Sequence, residues 1–270
     1  MLVVQISDTH LSDTRPEAEA RLAATIDHVL ALPTQPDVVI VTGDITDHGT
    51  PSEYARAKAQ LDRFAMPVYL LAGNHDDRSA LRAAFGSQGD HAMAPYLQYT
   101  ADVGPLRLVM LDSTVPGQDG GTICPERMAW LDARLDAAKD KPTFVCVHHP
   151  PFATGMRVLD AIGLENAGAF GAVIARHPQV ERVLSGHVHF TAQRRYHGTV
   201  AMTCVATSSQ IAHDLEDAGR VWLTGGPPAC LLHTRNADAG VLTTESIVGS
   251  GTARMLIHDG NGWLPAPVAG

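Results

Sequence analysis

Three short runs in the first third of the chain are apolar at nearly every position: "LVVQI" from residue 2, "VVIVT" from residue 38 and "VYLLA" from residue 68. A strand with one wet face alternates apolar and polar residues. A strand that is apolar throughout must be covered on both faces, as in the parallel sheets of α/β proteins. The intervening segments supply that cover. "RPEAEARLAATIDHVLAL" keeps Leu22, Ile26, Val29 and Leu30 at helical spacing, and "TPSEYARAKAQLDRF" starts with Thr50, Pro51 and Ser52 and carries Tyr54, Ala57, Leu61 and Phe64 on one side. Strand and helix therefore alternate, and the first three strands are expected to be parallel.

From about residue 95 the pattern changes. "YLQYTADVGPLRLVMLD" reads as two strands around a Gly-Pro turn, a helix is expected at about 125 to 138, and "PTFVCVHH" reads as the strand after it. After one more helical stretch, "ERVLSGHVHF", "TAQRRYHGTVAMTCVAT", "ACLLHTR" and "GVLTTESIV" are short strands with no helix between them. Neither a repeat nor a linker divides the 270 residues, and 45% hydrophobic content is enough for one large core. The expectation is a single α/β domain, with residues 1–205 as its main body and 206–270 as a β-rich extension of it.

Charge and leader features narrow the function classes. A net charge of −9 without any run of Lys or Arg repels a long polyanion, so a nucleic-acid polymer is not an expected partner. "MLVVQISDTH" lacks the basic start and long apolar stretch of a secretory leader, and no apolar run reaches the roughly eighteen residues a membrane span needs. A cytoplasmic protein with no membrane partner is expected. Cys124, Cys146, Cys204 and Cys230 are widely spaced and form no C-x-x-C, which suits reduced, mostly buried thiols.

The chemistry collects where strands end. "ISDTH" puts Asp8 and His10 after the first strand, "TGD" puts Asp44 after the second, and "GNHDD" puts Asn74, His75 and Asp76 after the third. In open α/β sheets the carboxyl ends of parallel strands face one crevice, where ligands bind. Later strands end in "CVHHPP", with His148 and His149, and in "SGHVH"; if that last segment is a strand, His187 and His189 point to the same face. Each stretch alone is explained as a turn, a cap or a rigid strand exit. Together they hold six of the fourteen histidines, which accident does not account for.

Asp8, His10, Asp44, Asn74, His148, His187 and His189 offer carboxylate, imidazole and amide oxygen but no thiolate. Such a set suits borderline divalent ions, Zn, Mn, Fe or Co, better than Mg²⁺ or Cu⁺. It is too large for one tetrahedral ion and about right for two ions sharing a carboxylate, with positions left for water and substrate.

D-x-H, G-D, G-N-H-D, H-x-P and G-H-x-H, in this order over residues 1–205, resemble the motif series of the calcineurin-like metallophosphoesterases. Within that superfamily, "ISDTH", "GNHDD", "HHPP" and the chain length look most like bacterial class III cyclic-nucleotide phosphodiesterases and the related glycerophosphodiesterases. The resemblance implies a four-layer α/β/β/α sandwich of two mixed β-sheets flanked by helices, with metals at one edge. By motif it gives Asp8, His10 and His189 to one ion, Asn74, His148 and His187 to the other, and Asp44 to both, with His148 rather than His149 in the first place of H-x-P.

The resemblance implies a phosphodiesterase for small substrates, either 3′,5′-cyclic nucleotides such as cAMP or glycerophosphodiesters. Two ions lower the pKa of a bridging water and hold a phosphoryl oxygen for in-line attack. Catalytic roles fall to Asp44 and to His75, which would stabilise the transition state or protonate the leaving alkoxide. Asp76 would either orient His75 or cap the next helix. Alternatives are a phosphomonoesterase, a nuclease, or a silent scaffold; the last should have lost ligands, and every one is present. Residues 86–98 and the tail from about 206, with His213 and Trp222, read as a cover for the metal edge, as a subunit contact or as a plain surface excursion. A homo-oligomer is expected.

Overall fold

The computed structural model describes residues 1–86, 93–216 and 219–249. Chain order is β1 (Leu2–Ile6), α1 (Pro16–Leu30), β2 (Val38–Thr42), α2 (Pro51–Leu61), β3 (Val68–Leu71), α3 (Arg78–Phe85), β4 (Tyr99–Val103), β5 (Leu106–Leu111), α4 (Pro125–Asp136), β6 (Thr143–Val147), α5 (Arg157–Asp160) and α6 (Ala167–Ile174). Then follow β7 (Val180–Ser185), β8 (Ala192–Tyr196), β9 (Thr199–Thr203), β10 (Gln210–Ile211), β11 (Leu223–Thr224), β12 (Ala229–Asn236) and β13 (Gly240–Ile247).

Two mixed sheets result. The first has the order β13-β12-β1-β2-β3, and the second β4-β5-β6-β7-β9-β8. β1, β2 and β3 are parallel, as their uniform apolarity requires, while β12 runs antiparallel to β1 with Leu2 opposite Thr234. In the second sheet β5, β6, β7 and β9 are parallel and β4 and β8 are antiparallel edges. Alternate side chains of each strand feed different layers. Val4, Ile6, Val39 and Val41 pack with Leu22, Ile26, Tyr54 and Leu61 of α1 and α2. Val3, Val38 and Ile40 instead meet Leu108, Met110, Phe144 and Leu184 of the second sheet. On that sheet's other face Val145, Val147 and Val183 meet Trp130, Leu131, Phe170 and Ile174 of α4 and α6. The layers are therefore helix, sheet, sheet, helix.

One local device helps to aim the exit of β2. Thr50 and Glu53 form a reciprocal capping box at the start of α2, which fixes where the loop after β2 ends. Within the segment expected as an extension, residues 206–270, β12 and β13 complete the first sheet, so residues 229–247 are structural rather than a cover. Part of the segment expected over the metal edge, residues 87–92, and the tail from 250 lie outside the described residues.

Candidate metal centre

Asp8, His10, Asp44, Asn74, His148, His187 and His189 all follow the carboxyl ends of β1, β2, β3, β6 and β7, and they converge. One oxygen of Asp44 joins two subsets: Asp44 Oδ2 is 3.5 Å from His10 Nε2 and 3.3 Å from His148 Nε2. On the His10 side stand His189, with Nε2 3.2 Å from His10 Nε2, and Asp8, with Oδ1 3.6 Å from His189 Nε2. On the His148 side, Asn74 Oδ1 lies 3.1 Å from both His148 Nε2 and His187 Nδ1.

The histidines do not reach these places from a strand. β7 ends at Ser185, and His187 and His189 have φ of 73° and 60°, with buried Val188 between them. The expectation of two side chains on one strand face is thus corrected: left-handed turns send His187 to the Asn74 side and His189 to the His10 side. Asp8, His10 and Asp44 have φ of 52°, 43° and 47°. A non-glycine residue in this region costs on the order of 1 kcal/mol or more, a strain that functional sites retain. Close approach of backbone to carboxylate adds its own demand: a Cβ on Gly186 would collide with Ser7 and Asp8, and one on Gly73 with Asp44.

The arrangement fits cations. His148 Nδ1 faces the Thr42 carbonyl at 2.8 Å and His189 Nδ1 faces the Ser209 carbonyl at 2.7 Å. A carbonyl only accepts, so both rings carry their proton on Nδ1 and present a bare Nε2 to the site. His10 Nδ1 donates to Asp47 at 3.2 Å, which turns its own bare Nε2 toward that of His189. Lone pairs that face each other, beside the carboxylates of Asp8 and Asp44, are stable only around positive charge, supplied by protons or by metal. Without metal the acids recruit protons. Burial opposes charge on His148, but Asp44, Asp8 and the Thr42 carbonyl outweigh it and raise its pKa to about 9. Burial likewise opposes charge on His10, yet Asp47 and Asp44 raise it. Burial, then neighbouring His148, lowers His187 to about 3.

His149 also lies near His148 and His187, but both its nitrogens are engaged. Nε2 donates to the Asp119 carbonyl at 3.1 Å, and Nδ1 accepts from the Ser113 hydroxyl at 2.7 Å. That favours His148 as the donor toward the site. His75 stands at the rim with 40% of its side chain exposed; its Nδ1 donates to the Asp47 carbonyl at 2.9 Å and its amide donates to Asp44 Oδ1.

Asp76 does neither of the two things expected of it. Its carboxylate accepts from the amides of Ile45, Thr46 and Gly73 and from Tyr54 and Thr46 hydroxyls, which pins the Asp44 loop to the Asn74 loop. The helix cap is Asp77, which accepts from the Ala80 amide. Sequence reasoning missed Asp47, which holds His10 with its side chain and His75 with its carbonyl; a second acid three residues after Asp44 in "TGDITDHG" was the available signal.

The model of the calcineurin-like phosphoesterase family matches residues 1–190. The chain belongs to that family. A glycerophosphodiester phosphodiesterase, GpdQ, of Enterobacter lignolyticus is 32% identical to it over 257 residues, covering 92% of this chain and 91% of the relative. The 3′,5′-cyclic adenosine monophosphate phosphodiesterase CpdA of Pseudomonas aeruginosa is 32% identical over 206 residues and 72% of each chain. Among solved structures, a dimetal phosphatase from Danio rerio superposes with a TM-score of 0.70 over 92% of this chain and 99% of its own, at 15% identity, a likeness of fold.

Proposed function

We propose that this calcineurin-like phosphoesterase is a dinuclear metal-dependent phosphodiesterase for small diesters, glycerophosphodiesters before 3′,5′-cyclic nucleotides. The observation that carries the reading is the single Asp44 oxygen between two sets of bare donor atoms. Asp8, His10 and His189 would hold one ion, Asn74, His148 and His187 the other, and Asp44 both, with Fe, Mn, Zn or Co as the candidates. Ions held there supply Lewis acidity at the phosphoryl group and a nucleophile at neutral pH.

The residues do the rest. The carbonyls of Thr42 and Ser209 and the carboxylate of Asp47 hold three imidazoles in one tautomer and one orientation, which keeps their donor atoms aimed inward. The His75 ring is fixed through Nδ1, so in its cationic form Nε2 holds the proton that a departing alkoxide takes. The GpdQ relative, 32% identical over 92% of the chain, supports placing glycerophosphodiesters first.

Charge supports a diester. A monoester dianion is usually met by Arg or Lys in addition to metal. Here Arg78 is spent on Asp112 and Arg15 on Asp47, and Arg194 is exposed on the edge strand β8. Elemental analysis should give two ions per chain, and kcat/KM should favour bis(p-nitrophenyl) phosphate over p-nitrophenyl phosphate. A monoester preference would promote the phosphatase reading.

Two wider points belong to the proposal. No helix among the described residues is long and apolar enough to cross a membrane, and four free cysteines fit a reducing compartment such as the cytoplasm. Exposed Leu215, Trp222 and Leu223 support a homo-oligomer, which analytical ultracentrifugation tests.

A further inference from the structure

Gln5 is the one polar residue in β1, and it is fully buried. Alternation along the strand turns it, with Val3, into the layer between the two sheets. Its side-chain amide donates to the Thr42 hydroxyl of β2 and to the Ser185 carbonyl of β7, each at 3.0 Å, so it spans both sheets. A carbonyl only accepts, so the group facing Ser185 is the NH₂ and Oε1 faces the other way. There it lies 3.1 Å from Nε2 of buried His233, which therefore carries the ring proton and donates. His233 Nδ1 is left bare and accepts from the Thr243 hydroxyl at 2.9 Å.

Beyond Gln5 the same direction continues to the metal centre. The Thr42 hydroxyl, which accepts from Gln5, donates to Ser7 Oγ at 2.7 Å, and Ser7 Oγ donates to the Thr42 carbonyl at 3.4 Å. That carbonyl is the one that accepts from His148 Nδ1. Ser7 precedes Asp8, Thr42 lies two residues before Asp44, and Ser185 lies two before His187, so one amide joins the exits of β1, β2 and β7. Stability alone does not call for such a network, because replacing buried partners together by apolar groups of the same shape is close to neutral. What a fully satisfied network contributes is fixed geometry. Burial, then Arg182, lowers the His233 pKa to about 3, so at neutral pH the ring is uncharged and offers Gln5 a single donor.

We propose that Gln5 and His233 are positioning residues for the metal centre: Gln5 sets the spacing of the β2 and β7 exits behind His148 and His187, and His233 holds the Gln5 amide in the orientation that does so. The inference rests on the metal-centre reading above and adds residues that act on it only through Ser7, Thr42 and Ser185.

The experiment measures how much zinc the full-length protein retains against a series of chelator concentrations and, in parallel, follows the His148 Nδ1 proton in proton–nitrogen spectra of the histidine side chains. Gln5→Leu and His233→Leu should each weaken retention of at least one of the two ions about tenfold, the low end of the roughly 10- to 100-fold range for groups behind metal ligands, and speed exchange of the His148 proton. His233→Gln puts an amide donor where Nε2 stood and should restore most of the loss. Thr42→Val keeps the shape of the strand and removes only the link, so it should weaken retention in the same direction even if a leucine variant fails to fold. Wild-type retention in Thr42→Val and in the folded leucine variants, or a His233→Gln variant as weak as His233→Leu, overturns the positioning role, since a merely structural network would lower the melting temperature alone. A wild-type protein that retains no zinc would instead overturn the metal-centre reading itself.

Discussion

Arg78→Met should destabilise the fold by about 3 kcal/mol at neutral pH, the low end of the roughly 3–5 kcal/mol lost when a buried ion pair is broken from one side. Asp112 is fully buried and accepts five hydrogen bonds: two from Arg78, one each from the amides of Leu97 and Thr114, and one from the Thr114 hydroxyl. The variant loses the two charged bonds and keeps three neutral ones, with Arg127 3.9 Å away as residual compensation. For a chain of this size that is a fall in melting temperature of about 6–12 °C. The pH dependence has a definite sign. Burial pushes the Asp112 carboxyl up, but Arg78 and its other donors outweigh that and hold it below the usual range. A depressed carboxylate pKa contributes stability above its unfolded value near 3.9 and loses it as pH falls through the folded one. In the variant, burial without Arg78 favours protonation, which relieves the penalty. The gap between wild type and variant should therefore be full at pH 7 and shrink toward pH 4, and Arg78→Met/Asp112→Asn should recover most of it. Urea melts across that range provide the measurement. A gap under about 1 kcal/mol at pH 7, or one that does not shrink with acid, would refute the reasoning.

Asp44→Asn should abolish turnover and lower metal content below two ions per chain while the circular dichroism spectrum persists, since an amide cannot lend charge to both sets of donors. His75→Ala should leave metal content intact and cut kcat by about 10²- to 10⁴-fold, less for substrates with good leaving groups; halved metal content would contradict its placement at the rim. Gly186→Ala drives a methyl group into Ser7 and the Asp8 carboxylate, so it should weaken metal retention more than it lowers the melting temperature, as dialysis against a chelator would reveal.

The parallel strands were legible because a strand covered on both faces admits a polar side chain only where it is hydrogen-bonded, as Gln5 is to Thr42 and Ser185, and so reads as nearly all apolar; the convergence of Asp8, Asp44 and Asn74 follows from that topology. The histidine pair was legible as chemistry but not as geometry. Strand alternation would have put His187 and His189 on one face, whereas their left-handed φ values divide them between two groups of donors, and no local pattern in "SGHVHF" announces that. Asp76 shows the same limit. Its five donors come from residues 45 to 73, so its structural use is written in tertiary contacts rather than in the motif it belongs to. The return of β12 to the side of β1 was equally hidden, because antiparallel partners more than two hundred residues apart leave no spacing to read.

That return has a consequence for synthesis. β1 and β2 can pair as soon as Thr42 has left the ribosome, yet the other edge of β1 stays unpaired until Ala229–Asn236 arrives. At about 5–20 residues per second, the wait lasts roughly ten to forty seconds. During that time an apolar strand with free amides and carbonyls is open to other nascent chains. A folding helper that shields "LVVQI", or translation that quickens toward the C-terminus, should therefore raise soluble yield. A circular permutant that begins at Ala229 would present β12 first and shorten the exposure.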